Sequence, residues 1–306
     1  MLYKRDWTEA QERWKAWWDG EIIDRVAITV TAPKSHVVPN ASSSWDLWDF
    51  CRYPSDPEIG IKRFDDLCSK MYFGGEAFPN LWINMGSGSL AAYLGCEVEF
   101  LSDTLWFKAV EGWEKLRRLS LDPENRWWRL TKQITEMAAK MGEGKFFVGV
   151  TDIGGIYDTI AMLRGPKNFV IDLFKKAYEV KELAERVLEA WFICYEESRQ
   201  IIGRRMGGNS AWMDIWSPNR WYPIQDDVAY YMSPKMFKEF VLPSLRELCE
   251  RLDHTIYHLD GIRQIPHLDM LLGIPELNGI QWVPGAGKLG CESSEWMPLY
   301  KKIQEA

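Results

Sequence analysis

The chain lacks any C-x-x-C pair. Its six cysteines, Cys51, Cys68, Cys96, Cys194, Cys249 and Cys291, keep no regular spacing. The first residues, Met1-Leu-Tyr-Lys-Arg-Asp-Trp7, also lack the pattern of a signal peptide. Both absences point to reduced thiols and a cytoplasmic location. No uninterrupted apolar run approaches the length of a membrane span, so no membrane association is expected. Positive charge is not in excess: the formal net charge is −7, which argues against nucleic acid as a partner. Low-complexity segments and short-period repeats are missing as well. The glycine turn Gly86-Ser-Gly-Ser89 lacks the lysine of a P-loop, so it is only a weak signal for an anion seated on backbone N–H groups.

What the chain has is an ordinary globular composition, 46% apolar and 26% charged over 306 residues, enough for one large α/β barrel or two medium domains. Tryptophan is the exception, with 17 residues. Most should pack cores and helix faces, and those near strand ends could wall an aromatic pocket. Thr8-Glu-Ala-Gln11 has the form of a capping box, and Gly20 is a plausible stop. Residues 1–20 therefore read as an N-terminal helix, with Trp14, Trp17 and Trp18 on one face.

Strands are expected at Ile22–Thr31, Asn80–Met85, Phe146–Val150, Ser210–Trp216, Thr255–Leu259 and Gly279–Val283. Helical spacing fills the intervals, the longest run being Glu179–Arg204. Ser233 caps a helix with Pro234 at its first position, and Pro243 should kink it. Cys96–Val110 reads as an inserted hairpin, with Glu97 and Asp103 solvated or edging the mouth. The stretch from Ala32 to about Asp56 reads as a packed lid, with His36 a solvated loop residue. Strands alternating with helices, with glycine turns at strand ends, favour a single α/β domain over residues 1–306 of the TIM (β/α)8 type. Six strands are legible where a complete barrel has eight, which leaves open whether the barrel is incomplete at its C-terminal end.

The chemistry centres on Thr255-Ile-Tyr-His-Leu-Asp-Gly261. Strand alternation puts His258 and Asp260 on one face, where they could grip a metal, a substrate or each other. In a barrel, polar strand ends converge at the C-terminal mouth. The converging set is then Asn84, Asp152, Asp214, His258 and Asp260, with Asp226 and Asp227 from a loop above; Asn84, Asp152, Trp212, Trp216, Trp221, Tyr222 and Gln281 are the residues expected to bind substrate. Nearby aromatics are Trp82, Trp212, Trp216, Trp221, Tyr222 and Trp282. Acids with an aromatic box suit a cation, each desolvated ring face contributing on the order of 1–2 kcal/mol to a quaternary ammonium. A methylated amine or comparable methyl donor is the expected ligand, although a bound metal would explain the acids equally well. Asp226 and Asp227 could instead cap a loop or pair with Arg220, and His254 and His267 read as structural.

Several of these motifs resemble the uroporphyrinogen decarboxylase superfamily. They are Gln225-Asp-Asp-Val-Ala, Ser233-Pro-x-x-Phe237-x-x-Phe240-Val-x-Pro243 and His258-x-Asp260-Gly261, supported by Phe147-Val-Gly-Val-Thr-Asp152, Gly154 and Leu163-Arg-Gly165. The resemblance spans about residues 145–290 and implies a TIM-barrel-type fold. The family holds decarboxylases and corrinoid-dependent methyltransferases, including those acting on methylated amines or methanol. The decarboxylase branch carries arginines on an N-terminal strand to hold substrate carboxylates. Val26–Lys34 has none, Arg25 lies just before it, and an acidic mouth would repel a polycarboxylate.

The methyltransferase branch is therefore closer. It implies a corrinoid carried by a partner protein, with a thiol as another acceptor, and zinc held by His-x-Cys plus a later cysteine. His258 matches, Asp260 stands where the first cysteine would be, and Cys291 is the candidate for the later one. The implied roles are His258, Asp260, Asp214 and Asp227 in catalysis, and His258, Asp260 and Cys291 at zinc. Two other readings stay open: a barrel that binds a ligand without turnover, and a decarboxylase of a small acid. An exposed tryptophan-rich surface would point to a homodimer.

Overall fold

A computed structural model describes residues 1–34, 45–101, 104–110 and 112–306. His36 and Asp103 lie outside the described residues. The strands are β1 (Thr29–Pro33), β2 (Met71–Gly75), β3 (Asn80–Trp82), β4 (Glu97–Leu101), β5 (Thr104–Lys108), β6 (Phe147–Gly149), β7 (Asn209–Ser210), β8 (Trp216–Ser217), β9 (Trp221–Ile224), β10 (His254–Asp260) and β11 (Gly279–Val283). Two parallel runs organise the body. In the first, β3 pairs with β6, and β7 continues the order through Val150 N–H donating to the Ser210 carbonyl at 2.8 Å. In the second, β10 lies between β9 and β11. The Asn209 side chain donates to the Trp221 carbonyl and joins the two runs. Among the described residues the largest sheet has three strands and no hydrogen-bonded ring of strands closes.

Helices at Arg126–Gly142, Ala177–Gly203 and Leu242–Arg251 fill the crossovers, as parallel strands require. The longest buries Val180, Leu183, Val187, Leu188, Trp191, Cys194 and Tyr195, the stripe that its spacing predicts. Asn125 caps the first of these helices, accepting from the Trp127 and Trp128 N–H groups. Ser233 accepts from Met236 N–H as expected. Pro243 follows a π-helical turn over Phe237–Val241. That turn absorbs the missing N–H, and the helix carries on through the proline.

Four expectations differ from the structure. The helix at the N-terminus runs Trp7–Trp18 with Asp6 before it, so Thr8 lies inside the helix and forms no capping box. The expected first strand is short and peripheral: β1 pairs antiparallel with β2, and Val26, Ile28 and Val30 are exposed. Their alternation marks an edge ribbon, not a core strand. Ser210–Trp216 is not one strand. Its ends are β7 and β8, which pair antiparallel around a turn at residues 211–215, with Asp214 at φ +55°. Finally, β9 lies within Ser217–Tyr231, a stretch that reads as loop because Pro223 argues against a central strand. The hairpin β4–β5 and strands β10 and β11 lie where the sequence places them.

Candidate functional site

At the C-terminal end of β10, Tyr257 and Leu259 are buried while His258 and Asp260 reach partway to solvent. Asp227 opens the 3₁₀ turn Asp227–Tyr231. One ligand atom from each of Asp227, His258 and Asp260 lies within 4.8 Å of the others. His258 stands opposite Gln281 in the parallel register, and its Nδ1 meets Gln281 Oε1 at 2.5 Å. A carboxamide oxygen accepts, so Nδ1 donates in this bond and Nε2 is the ring nitrogen left for a ligand. The Trp212 ring stands edge-on to the imidazole with centroids 5.3 Å apart. A cleft of about 390 Å³ opens beside the group, lined by Asp227, Tyr230, Asp260, Gly261 and Lys288 among others. Gly261 has φ +89°, and a Cβ there would sit 2.7 Å from the Tyr230 ring, so the mouth needs glycine at this turn.

Asp227 is held in place by a reciprocal pair of caps. Asp226 Oδ1 accepts from the Tyr157 and Asp158 N–H groups at the start of the helix Ile156–Arg164. The Asp158 carboxyl accepts from the Asp227 and Val228 N–H groups at 2.8 Å each. Two helix N-termini thus face each other, each satisfied by the other's aspartate. Burial pushes Asp158 up to about 7, with the Asp227 charge adding to it. Asp226 is held well above the usual carboxylate range by burial and by Asp158. Asp227 is raised by desolvation, with Asp260 repelling it and His258 acting in the opposite direction. Asp152, buried just beyond the end of β6, accepts from Gly154 N–H at 3.0 Å. It is pushed up to about 7 by burial, helped by the field of Asp227. The acids therefore form one electrostatic unit.

Asp214 belongs to a different part of the site. On the 211–215 turn its Oδ1 accepts from Asn80 Nδ2 at 2.7 Å, and Asn80 also donates to the Ala211 carbonyl. Desolvation pushes Asp214 up to about 6 against that hydrogen bond. A left-handed aspartate costs of order 1 kcal/mol or more and is typical of functional turns.

Several expected site residues sit elsewhere. Trp221 stands opposite His254 at the start of β10. At about 3.3 Å per residue it is roughly 13–20 Å from the end that carries His258 and Asp260. It packs on Trp18, and Trp216 packs on Trp7. Their indole N–H groups donate to the Ile215 and Gly207 carbonyls. Both tryptophans seal the N-terminal helix and are not walls of a mouth: the strand expected to aim Trp216 upward is a turn, and Trp221, expected on a loop, opens β9 at its far end. Tyr222 is a buried brace, its hydroxyl donating to the Thr151 carbonyl and accepting from Ile153 N–H. Asn84 is buried and spends its amide on the Leu47 carbonyl and Gly86 N–H. Cys291 is exposed and is not part of the Asp227–His258–Asp260 group, the one such group among the described residues.

Arg220 pairs with Glu196 and not with Asp226 or Asp227. His254 stacks on Trp18 and bonds Ser217, and His267 stacks on Phe237 and bonds the Ala229 carbonyl, so both are structural. Sequence reasoning missed Asn80 and Asp158. Asp158 left one trace, an acidic residue in the first turn of a helix that follows paired glycines.

The donors suit a divalent ion. Zinc takes imidazole nitrogen and carboxylate oxygen, three protein ligands plus an open position being its usual catalytic arrangement. They do not suit the sulfur-rich zinc centre that the resemblance implies, since Cys291 is not among them. A second cleft of about 400 Å³, on the other side of the Asp227–Tyr231 turn, has mainly apolar walls such as Met162, Phe169 and Met232. It gathers no comparable polar set.

No family model matches the chain, and no curated protein matches it. Among solved structures, a methyltransferase from Methanosarcina mazei has a similar fold, with a TM-score of 0.58 at 14% identity over 89% of this chain and 75% of that one. No helix among the described residues is long and apolar enough to cross a membrane.

Proposed function

We propose that this chain is a methyltransferase that moves a methyl group between a small methylated compound and a corrinoid carried by a partner protein. The observation that carries the reading is the Asp227–His258–Asp260 group at the strand ends of a fold shared with a methyltransferase. We further propose that the two parallel runs are arcs of one TIM-type barrel, open between β11 and β3. The course β3–β6–β7 followed by β9–β10–β11 in chain order supports this.

His258, Asp227 and Asp260 would hold a divalent ion, zinc being the expected one. When bound, it would polarise the atom that carries or receives the methyl group. Gln281 fixes the imidazole. Trp212 covers its edge and limits water at that side. Asp152, raised to near neutrality, would exchange a proton with the reacting group. Asp214, with Asn80, orients the substrate from the turn below. Rate would come mainly from alignment in a charge-matched, partly dry site.

The test is methyl transfer itself. Purified chain is incubated with mono-, di- or trimethylamine, methanol or a methyl ether, and a reduced free corrinoid as acceptor, and methylation is followed by the corrinoid absorption. Transfer with at least one donor, lost in His258→Ala, is expected. No transfer with any donor, even with the metal loaded, would overturn the reading in favour of ligand binding alone.

A further inference from the structure

The apolar cleft behind the Asp227–Tyr231 turn takes no part in the chemistry proposed above. Its volume of about 400 Å³ lies within the range of small-molecule sites, about 300–1,000 Å³. One wall is the helix Pro166–Lys175, which contributes Pro166, Phe169, Val170 and Leu173, a spacing of three and four that keeps them on one helical face. Met162, Met232 and Met236 bring three thioethers to the lining, side chains that adapt to the shape of an apolar guest. Only two polar side chains line it, Asp158 and Tyr231. Both Asp158 oxygens are already taken by the Asp227 and Val228 N–H groups. A polar group carried deep into this cleft would lose its water without gaining a partner, so the inner part of a guest has to be apolar.

The rim has a different character. Phe174 and Tyr231 are 73% and 74% exposed there. Lys167 shares a helical face with Val170 and Phe174, and Lys235 directly precedes Met236; both lysines are exposed. Their neighbours Lys176 and Lys181 pair with Glu179 and Glu239, whereas Lys167 and Lys235 enter no ion pair among the described residues. A chain with net charge −7 thus carries positive charge beside an apolar slot. Like charges on that rim oppose a second copy of the same face, and a concave slot fits a flat bilayer poorly.

We propose that this cleft binds an anionic amphiphile of the fatty-acid class, a linear apolar chain with a carboxylate head. The chain lies among Phe169, Leu173 and the three methionines, and the carboxylate stays at the rim with Lys167 and Lys235. The site is separate from the mouth but shares a wall with it: Tyr231 lines both clefts, and Val228 and Tyr231 belong to the turn that Asp227 opens. A bound chain therefore touches the back of the turn that carries Asp227. The proposal does not rest on the methyl-transfer reading.

Isothermal titration calorimetry of the full chain with hexanoate, octanoate and decanoate, each below its micellar concentration, tests it. One acid per chain is expected, with affinity rising about fourfold for each added methylene. Octyltrimethylammonium should bind about fivefold more weakly than octanoate, or worse. Val170→Asp, at a wall position that is already 47% exposed, should lower octanoate affinity about tenfold or more, with circular dichroism and melting temperature unchanged. Lys167→Glu combined with Lys235→Glu should weaken octanoate about fivefold or more and leave octanol binding as it was. Equal affinity for octanoate and octyltrimethylammonium, or no dependence on chain length, would overturn the ligand class. Undiminished octanoate affinity in Val170→Asp would put the acid elsewhere and overturn the site. Binding to phosphatidylglycerol vesicles but not to the free acids, lost in Val170→Asp, would give the face to a membrane instead. Dimerisation lost in the same variant, again with no binding of the free acids, would give it to a second copy. Each of these results stands whether or not the chain transfers methyl groups.

Discussion

Asp152 shows how one buried carboxyl contributes to the acid–base behaviour of this protein. Burial raises it from an ordinary 3.8 to about 7 in the folded chain. Between those values the folded state binds a proton that the unfolded state has lost, so stability falls as pH rises through that window and levels off above it. Asp152→Asn keeps an acceptor for Gly154 N–H and removes the ionisation. The variant should match the wild type near pH 4 and exceed it by about 2–4 kcal/mol at pH 8. Urea melts at the two pH values check the sign, and equal pH slopes for both proteins would refute it. If Asp152 also handles a proton in turnover, the same variant should lose the limb of the rate profile that titrates near pH 7, whatever its stability. Residues of this kind are only half legible in sequence: the acid at a strand end is visible, but the burial that moves its pKa comes from neighbours distant in the chain.

At the scale of elements, the site depends on two helix starts that cap each other. Gly155 makes that approach possible: a Cβ there would lie 2.3 Å from the Gln225 carbonyl and 2.6 Å from both the Asp158 and Asp226 carboxyls. Gly155→Ala should therefore cost about 1–3 kcal/mol and also displace the Asp227 turn. Metal affinity should drop even though no ligand has changed. Thermal melts with metal titration separate the two effects, and a destabilised variant with wild-type affinity would show that the caps do not position Asp227.

The elements themselves were legible where one period dominates. The stripe of Ala177–Gly203 and the alternation of β10 survive intact, because a helix face and a half-buried strand each impose their spacing locally. Ser210–Trp216 misled because alternation of Ala211, Met213 and Ile215 against Trp212, Asp214 and Trp216 looks like a strand. The backbone instead reverses at Asp214, a residue type that tolerates left-handed geometry better than most. The reversal carries Trp216 to the bottom of the molecule and leaves only Trp212 beside His258.

Across the whole molecule, that reversal explains where the tryptophans went. The N-terminal helix lays Trp7 and Trp18 against Trp216, Trp221 and His254, and Trp18 donates its indole N–H to the Trp216 carbonyl at 3.0 Å. A cluster of the tryptophans, Trp7, Trp18, Trp216 and Trp221, closes the end of the body opposite the mouth. The packing role of the Trp14–Trp17–Trp18 face could be read from its helical spacing; its target could not, since Trp18 and Trp216 are brought together only by the tertiary fold. A division of labour follows, stability at one end and chemistry at the other. Trp18→Ala removes a stacked ring and a partly buried hydrogen bond, and should cost about 2–4 kcal/mol. Because the site is roughly 13–20 Å away, it should leave metal affinity and its pH dependence unchanged at temperatures where the variant is folded. Loss of affinity in step with loss of stability would mean that the two ends are coupled through β9 and β10. Unchanged affinity in a clearly weakened protein would establish that the N-terminal helix serves as a plug and not as part of the site.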